Sequence, residues 1–497
     1  MWHEILKVLR IIKPQNLSTM KRFSLLLITL CLALSVVAQG KAKYVFYFIG
    51  DGMGVNQVNA AETYLAALDG RIGIKPLAFA SFPYVALVHT ESATNGVTDS
   101  AAGGTALATG EKTKNGVVSM NPDGQVPIYS IATAAKELGL AVGVATSVSI
   151  DHATPASFYA HESYRGNYHR IGHDLLEANF DFYAGSAFLQ PTHKDCPNEL
   201  PLYQLYENAG YTITKGLDFN EKKMKKAKRL MMLQSDEANA FDNTALPYAL
   251  DRGENDLTLA TIVSKGIDFL MQKNKDGFFF AIEGGKIDWA CHANDAAAVI
   301  RETLDLDEAV KVALEFYKQH PDETLIVVTA DHETGGMSLG TGAYELRLHL
   351  LQHQKMSAWK YTKHISQLHT SLGDDFTWEV VKKDLTENFG FWEHIAISER
   401  QEARLKKAYE ALVAGKAEGN KSLYSQEDAL ATAAKEIINR AALVGWTSGG
   451  HSNGYVPAFA IGVGAQQFSG RIDNTEVAKR TRKAFTLTQE ECNTRVN

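Results

Sequence analysis

Three apolar runs that each end in a carboxylate constrain this chain more than any other feature. Tyr44 to Ile49 leads into Gly50-Asp51, Phe278 to Ile282 into Glu283, and Leu325 to Ala330 into Asp331-His332. Unbroken apolar runs of this length suit strands buried on both faces of a parallel sheet. In open α/β sheets the ligand crevice lies beyond the carboxyl ends of the strands. If the three strands are neighbours, carboxylates from distant parts of the chain meet at one edge. Such a group repels itself unless cations sit between its members, so the pattern calls for metal.

The chain has 497 residues, 45% of them hydrophobic, ample for a large core. Sheet-forming runs spread from Tyr44 to Ala465 favour one α/β domain over residues 39–497. Val85 to His89, Ala141 to Thr146 and Arg229 to Gln234 complete the early strand candidates. Ser130 to Leu138, Leu257 to Lys273 and Ala296 to Gln319 read as helices by their apolar spacing. This alternation predicts a doubly wound fold, a mostly parallel central sheet flanked by helices. From about 338 to 446 the rhythm breaks. Arg347 to Leu372, Ser398 to Gly415 and Gln426 to Val444 look helical, so this stretch reads as a helical insertion, a cap or a subunit contact. The sheet resumes at Ala458 to Val463. The basic run Asn220 to Arg229 reads as a solvated face.

Residues 1–38 read as an N-terminal extension plus a secretory signal. Lys21-Arg22 is the charged start, Phe23 to Val37 the apolar stretch and Val36-Val37-Ala38 the cleavage site, with Met20 as the true start. The apolar stretch falls short of the roughly 20 residues a membrane span needs, and Cys31 lacks a lipid-attachment context. The expected product is exported, periplasmic or extracellular, with no stable membrane insertion after cleavage. Cleavage changes Lys plus Arg from 50 to 45 and Asp plus Glu from 57 to 56, a net charge of -11. So acidic a chain is a poor partner for nucleic acid. Three cysteines remain, Cys196, Cys291 and Cys492, too few for a disulfide framework. One bridge is open to any pair, and Cys291, beside His292, reads as a packed core residue.

Asp288 and His292 stand four apart, which puts them on one face of a helical turn where they can grip one zinc ion. Asp331 and His332 can both face a ligand where their strand opens into Thr334-Gly335-Gly336. His451, in a glycine-rich stretch, would be the third protein ligand that an open zinc site needs. Asp99 can cap a helix beginning near Ser100, and a serine there sits in a field that favours an alkoxide and phosphate. No glycine-flanked nucleophile elbow surrounds it, so an α/β-hydrolase triad is not suggested, and a metal could activate Ser100 in place of a histidine base.

Gly50-Asp51-Gly52-Met53-Gly54, Thr98-Asp99-Ser100-Ala101-Ala102, His152-Ala153-Thr154-Pro155-Ala156, Glu283-Gly284-Gly285-Lys286-Ile287-Asp288, Thr329 through Gly336 and Gly449-Gly450-His451 stand in the order seen in alkaline phosphatases. The chain resembles that family from about Lys43 to Gly464. The resemblance implies two zinc ions and one magnesium ion per subunit. Asp288, His292 and His451 match the ligands of one zinc. Asp51, Asp331 and His332 match those of the second, with Asp51 also reaching the magnesium beside Thr154 and Glu283. Ser100 matches the nucleophile and Arg165 the arginine that clamps phosphate, a task suited to a planar two-pronged donor. His152 and Trp289 depart from the enterobacterial pattern, which has aspartate and lysine there, and are similar to marine and cold-adapted bacterial forms.

The implied reaction is hydrolysis of phosphate monoesters through a phosphoserine, the paired zinc ions holding the entering and leaving oxygens. Family members are often homodimers. Alternatives are a phosphodiesterase or sulfatase of the same superfamily, or a non-catalytic zinc- or phosphate-binding protein. Sulfatases carry a modified Cys or Ser in a Cys/Ser-x-Pro-x-Arg setting, whereas Ser100 precedes Ala101-Ala102-Gly103. A binding protein would lack the serine or a ligand, and here every matched position is filled.

Overall fold

The apolar runs become the centre of one large sheet. A computed structural model describes residues 41–485 except 194–197, 218–220, 343, 417–418 and 425. The expected secretory segment, Cys31, Cys196 and Cys492 lie outside the described residues. Ten strands form the sheet: β1 (Tyr44–Gly50), β2 (Tyr84–His89), β3 (Ala141–Thr146), β4 (Phe182–Gly185), β5 (Tyr211–Lys215), β6 (Arg229–Leu233), β7 (Phe278–Gly284), β8 (Thr324–Thr329), β9 (Val456–Gly462) and β10 (Gly470–Asp473). Their spatial order is β10-β2-β9-β8-β1-β7-β3-β4-β6-β5.

β1 lies between β7 and β8, parallel to both. Every residue of these three strands is buried, as unbroken apolar sequence requires. The register sets Ile49 beside Glu283 and Thr329, and Thr146 of β3 beside Glu283. Asp51, Glu283 and Asp331 therefore leave the sheet at one edge. Burying each large apolar side chain contributes about 1.5–3 kcal/mol, so the register that aligns the carboxylates is fixed by the hydrophobic core beneath them.

Several elements differ from sequence expectation. β9 runs antiparallel to both its neighbours, β8 and β2, a direction its apolar composition does not encode. β2 exposes Val85 and Leu87, so its apolar run is only half covered. Strands β4, β5 and β10 are short and were not anticipated. The expected helix from Arg347 is split into a 3-10 turn, Leu348–His353, and a helix, Ala358–Leu372. A further helix, Trp378–Phe389, precedes Glu399–Val413 and Ala429–Ala441. The basic run divides into a short helix, Glu221–Lys226, and the first residue of β6.

Helices α1 (Ser100–Thr109), α2 (Tyr168–Ala178), α3 (Lys286–His292) and α4 (Ala296–Gln319) follow β2, precede β4, follow β7 and precede β8. The helical stretch is closed at its base where Ser338-Leu339 pairs antiparallel with Val444-Gly445. It is tied down by buried polar contacts. Asp295, the N-cap of α4, accepts from Gln354 Nε2 at 2.9 and 3.0 Å and from Ala358 N at 2.9 Å. Lys435 donates to Ala293 O at 2.5 Å and pairs with buried Glu427. No helix among the described residues is long and apolar enough to cross a membrane.

Candidate active site

The carboxylate edge is joined by a serine because α1 can approach it with bare backbone. Asp99 caps α1, accepting from Ala102 N at 3.0 Å, a contact worth about 1 kcal/mol. A Cβ on Gly103 would lie 2.8 Å from the carbonyl oxygen of Asp331, and one on Gly104 2.8 Å from Ser157 Oγ. Only glycine allows this closeness. Ser100, the first residue of α1, is fully buried with Oγ 3.2 Å from His332 Nε2. Gly52, at φ +72°, likewise lets its loop pass within contact of Asp288, where a Cβ would meet Cα at 2.8 Å.

The candidate ligands fall into two touching groups. In one, His292 Nε2 lies 3.3 Å from Asp288 Oδ2 and 3.2 Å from His451 Nε2, and His451 Nε2 lies 3.6 Å from Asp288 Oδ1. α3 supplies Asp288 and His292 from one turn, as their spacing predicts. His451 arrives through a two-strand bridge in which His451-Ser452 pairs with Thr334-Glu333. In the other, His332 Nε2 lies 3.4 Å from both Asp51 Oδ1 and Asp331 Oδ2. The His332 and His451 rings stack at 3.6 Å, so the groups share a wall.

Backbone carbonyls orient two of the rings. His292 Nδ1 lies 2.7 Å from Gly449 O, and His451 Nδ1 2.8 Å from Thr98 O. A carbonyl only accepts, so Nδ1 carries a proton in each ring and Nε2 is the nitrogen turned inward, the one left for a metal. Thr334 Oγ1 donates to Asp288 and lies 3.2 Å from His332 Nδ1.

Beside Asp51, Thr154 Oγ1 donates to Asp51 Oδ2 at 3.1 Å and lies 3.3 Å from Asp331 Oδ2. Glu283 accepts from Thr146, which the sequence did not single out. Ligand atoms of Asp51, His152 and Glu283 lie within 4.8 Å of one another. Arg165 Nη2 lies 3.3 Å from His152 Nε2. Arginine only donates, so the His152 proton is placed on Nδ1, a buried atom that finds no hydrogen-bond partner.

The electrostatics of this edge are those of a cation site. Asp51 Oδ1, Glu283 Oε1 and Asp288 Oδ2 are buried without a hydrogen bond. Burial, then neighbouring carboxylates, pushes Asp51 and Asp331 well above the usual carboxylate range, and burial pushes Glu283 up to about 7. Asp288 is also penalised by burial, but the charge and hydrogen bond of His292 outweigh that and hold it low. Burial pushes His332 well below the usual imidazole range. Imidazoles with carboxylates suit zinc, and the all-oxygen set of Asp51, Thr154 and Glu283 suits magnesium.

Arg165 borders the serine. Its Nη1 donates to Asp99 Oδ2 at 3.1 Å and its Nη2 to Tyr424 OH at 3.2 Å. Tyr424 was not anticipated, because it lies in the helical stretch with no motif around it. It stacks on Trp289 at 4.5 Å with an interplanar angle of 8°, and meets the His152 ring at 5.6 Å. Cys291 is buried and unbridged, accepting weakly from Gln57 at 3.7 Å.

Residues 42–180 and 213–487 match the family model described as Alkaline phosphatase. Alkaline phosphatase 3 of Bacillus subtilis (strain 168) is 32% identical over 455 residues, 90% of each chain. The solved cold-active alkaline phosphatase of the psychrophile Shewanella sp. is similar with a TM-score of 0.74 and 28% identity, covering 89% of this chain and 100% of that one. A mutant alkaline phosphatase from the bacterium TAB5, with magnesium bound in its M3 site, gives a TM-score of 0.62 at 25% identity, covering 90% and 99%.

Proposed function

We propose, for a chain that belongs to the alkaline phosphatase family, that Ser100 takes the phosphoryl group of a phosphate monoester and forms a phosphoserine that water then hydrolyses. The observation that carries this reading is the placement of Ser100 Oγ, buried at the start of α1 and 3.2 Å from His332 Nε2, against the two ligand groups. In the first half-reaction a bond forms from Oγ to phosphorus and the ester P–O bond breaks in line. The α1 terminus favours the anionic oxygen and the phosphoryl group together. Arg165, held by Asp99 and Tyr424, binds the non-bridging oxygens, where positioning and charge do most of the catalysis.

Asp288, His292 and His451 would hold one zinc, and Asp51, Asp331 and His332 a second. Asp51, Thr154 and Glu283 would hold magnesium, with His152 and Trp289 beside it. When bound, these cations supply the positive charge that favours a deprotonated serine and a leaving oxygen at neutral to alkaline pH. Buried oxygens of Asp51, Glu283 and Asp288 that accept no hydrogen bond support this assignment. Export, with cleavage after Ala38, accompanies this proposal.

Brief incubation with radiolabelled phosphate ester followed by acid quench tests it. Label is expected on the unaltered protein and absent from Ser100→Ala. Label retained on Ser100→Ala overturns the assignment of the nucleophile.

A further inference from the structure

Two histidines and a glutamate converge at a second point that the phosphatase reading does not use. His169 and His173 stand one turn apart on α2, so their rings share a face. Glu199 meets them from the segment before the helix Leu202–Asn208. Ligand atoms of all three lie within 4.8 Å of one another. His173 Nε2 lies 2.9 Å from Glu199 Oε1 and 3.2 Å from His169 Nε2, and His169 Nε2 lies 3.4 Å from Glu199 Oε2. The His169 side chain is 7% exposed, that of His173 31% and that of Glu199 34%.

His169 Nδ1 lies 3.1 Å from the Gln190 carbonyl, so that nitrogen carries a proton and Nε2 is the ring atom left to face a metal. His169 Nε2 faces a carboxylate oxygen and a second ring nitrogen. A cation at the centre satisfies all three contacts. The Gln190 carbonyl on the far nitrogen of His169 is the outer support that metal-bound histidines carry. By contrast, the group of His89, Glu91 and Asp473 has Lys112 Nζ 2.9 Å from Asp473, a built-in counter-charge. Among the described residues Glu199 has no lysine or arginine in an ion pair.

We propose that His169, His173 and Glu199 bind one divalent first-row metal ion, zinc by the chemistry of two imidazoles and a carboxylate. The ion ties α2 to the segment bearing Glu199. It stabilises the folded chain because the unfolded chain does not bring the three ligands together.

The test compares the full chain with Glu199→Gln and His173→Ala, each equilibrated with buffered zinc and then desalted. Metal is counted by mass spectrometry and activity measured on a nitrophenyl phosphate. The unaltered protein is expected to hold about one zinc per chain more than either variant, with hydrolysis unchanged. Because a difference is read, metal in the candidate active site cancels. Equal zinc in all three proteins overturns the proposal, as does loss of that zinc together with activity. If a variant fails to fold, crystals of the unaltered protein grown with zinc decide. An anomalous peak between the three side chains supports the site, and its absence overturns it.

Discussion

Single residues at this site are defined by what their neighbours allow. Arg165 donates to Asp99, Tyr424 and His152, a planar fan that a lysine cannot reproduce. Steady-state kinetics of Arg165→Lys are expected to show KM raised about tenfold, about 1.4 kcal/mol of binding, with a smaller effect on kcat; an unchanged KM contradicts the clamp. Glu283 carries a pH signature. In the metal-free protein burial pushes it from the ordinary 4.5 up to about 7. Between those values the folded state keeps a proton that the unfolded chain has released, so stability is full below 4.5 and falls as pH rises towards 7. Asp51 and Asp331 act in the same direction. Metal displaces these protons, so the gain in Tm on adding zinc and magnesium to chelated protein is expected to grow from about pH 5 to about pH 8. A gain independent of pH contradicts this. The convergence of Asp51, Glu283 and Asp331 was legible because each stands at the end of a buried apolar run. Tyr424 was not, because its contact with Arg165 and Trp289 exists only once a distant loop has folded back.

At the scale of elements, close packing of small residues does the positioning. Gly103 lets α1 lie against Asp331, and Gly103→Ala is expected to cost about 1–3 kcal/mol and to lower kcat/KM by at least about tenfold by displacing Ser100. Melting curves and kinetics on the same sample check both, and normal kinetics would show that the approach is not needed. Lys435 and Glu427 pin the helical stretch beside Ala293, next to His292. Lys435→Ala strands a buried carboxylate and is expected to cost about 3–5 kcal/mol in urea unfolding; a loss below about 1 kcal/mol contradicts the pairing. Strands buried on both faces could be read from unbroken apolar runs, and helices from their period. The direction of β9 could not, because apolar pattern carries no sign. Short strands β4, β5 and β10 were missed because four or five residues offer too few repeats to set a period.

For the molecule as a whole, the account rests on one edge of a ten-stranded sheet gathering charge from across the chain. The doubly wound, mostly parallel architecture was legible from alternating strand and helix patterns. The docking of the helical stretch was not, since buried ties such as Asp295 to Gln354 and Asp251 to Ser357 join residues 59 and 106 positions apart. An edge that holds Asp51, Glu283, Asp288 and Asp331 out of water is costly without cations. The most direct measurement is an anomalous difference map at the zinc edge from crystals of the protein grown with zinc, magnesium and phosphate. The account predicts one peak among Asp288, His292 and His451, a second among Asp51, Asp331 and His332, and phosphate lodged between Ser100 and Arg165. A map with no peak at either group, or with phosphate away from Ser100, would contradict it.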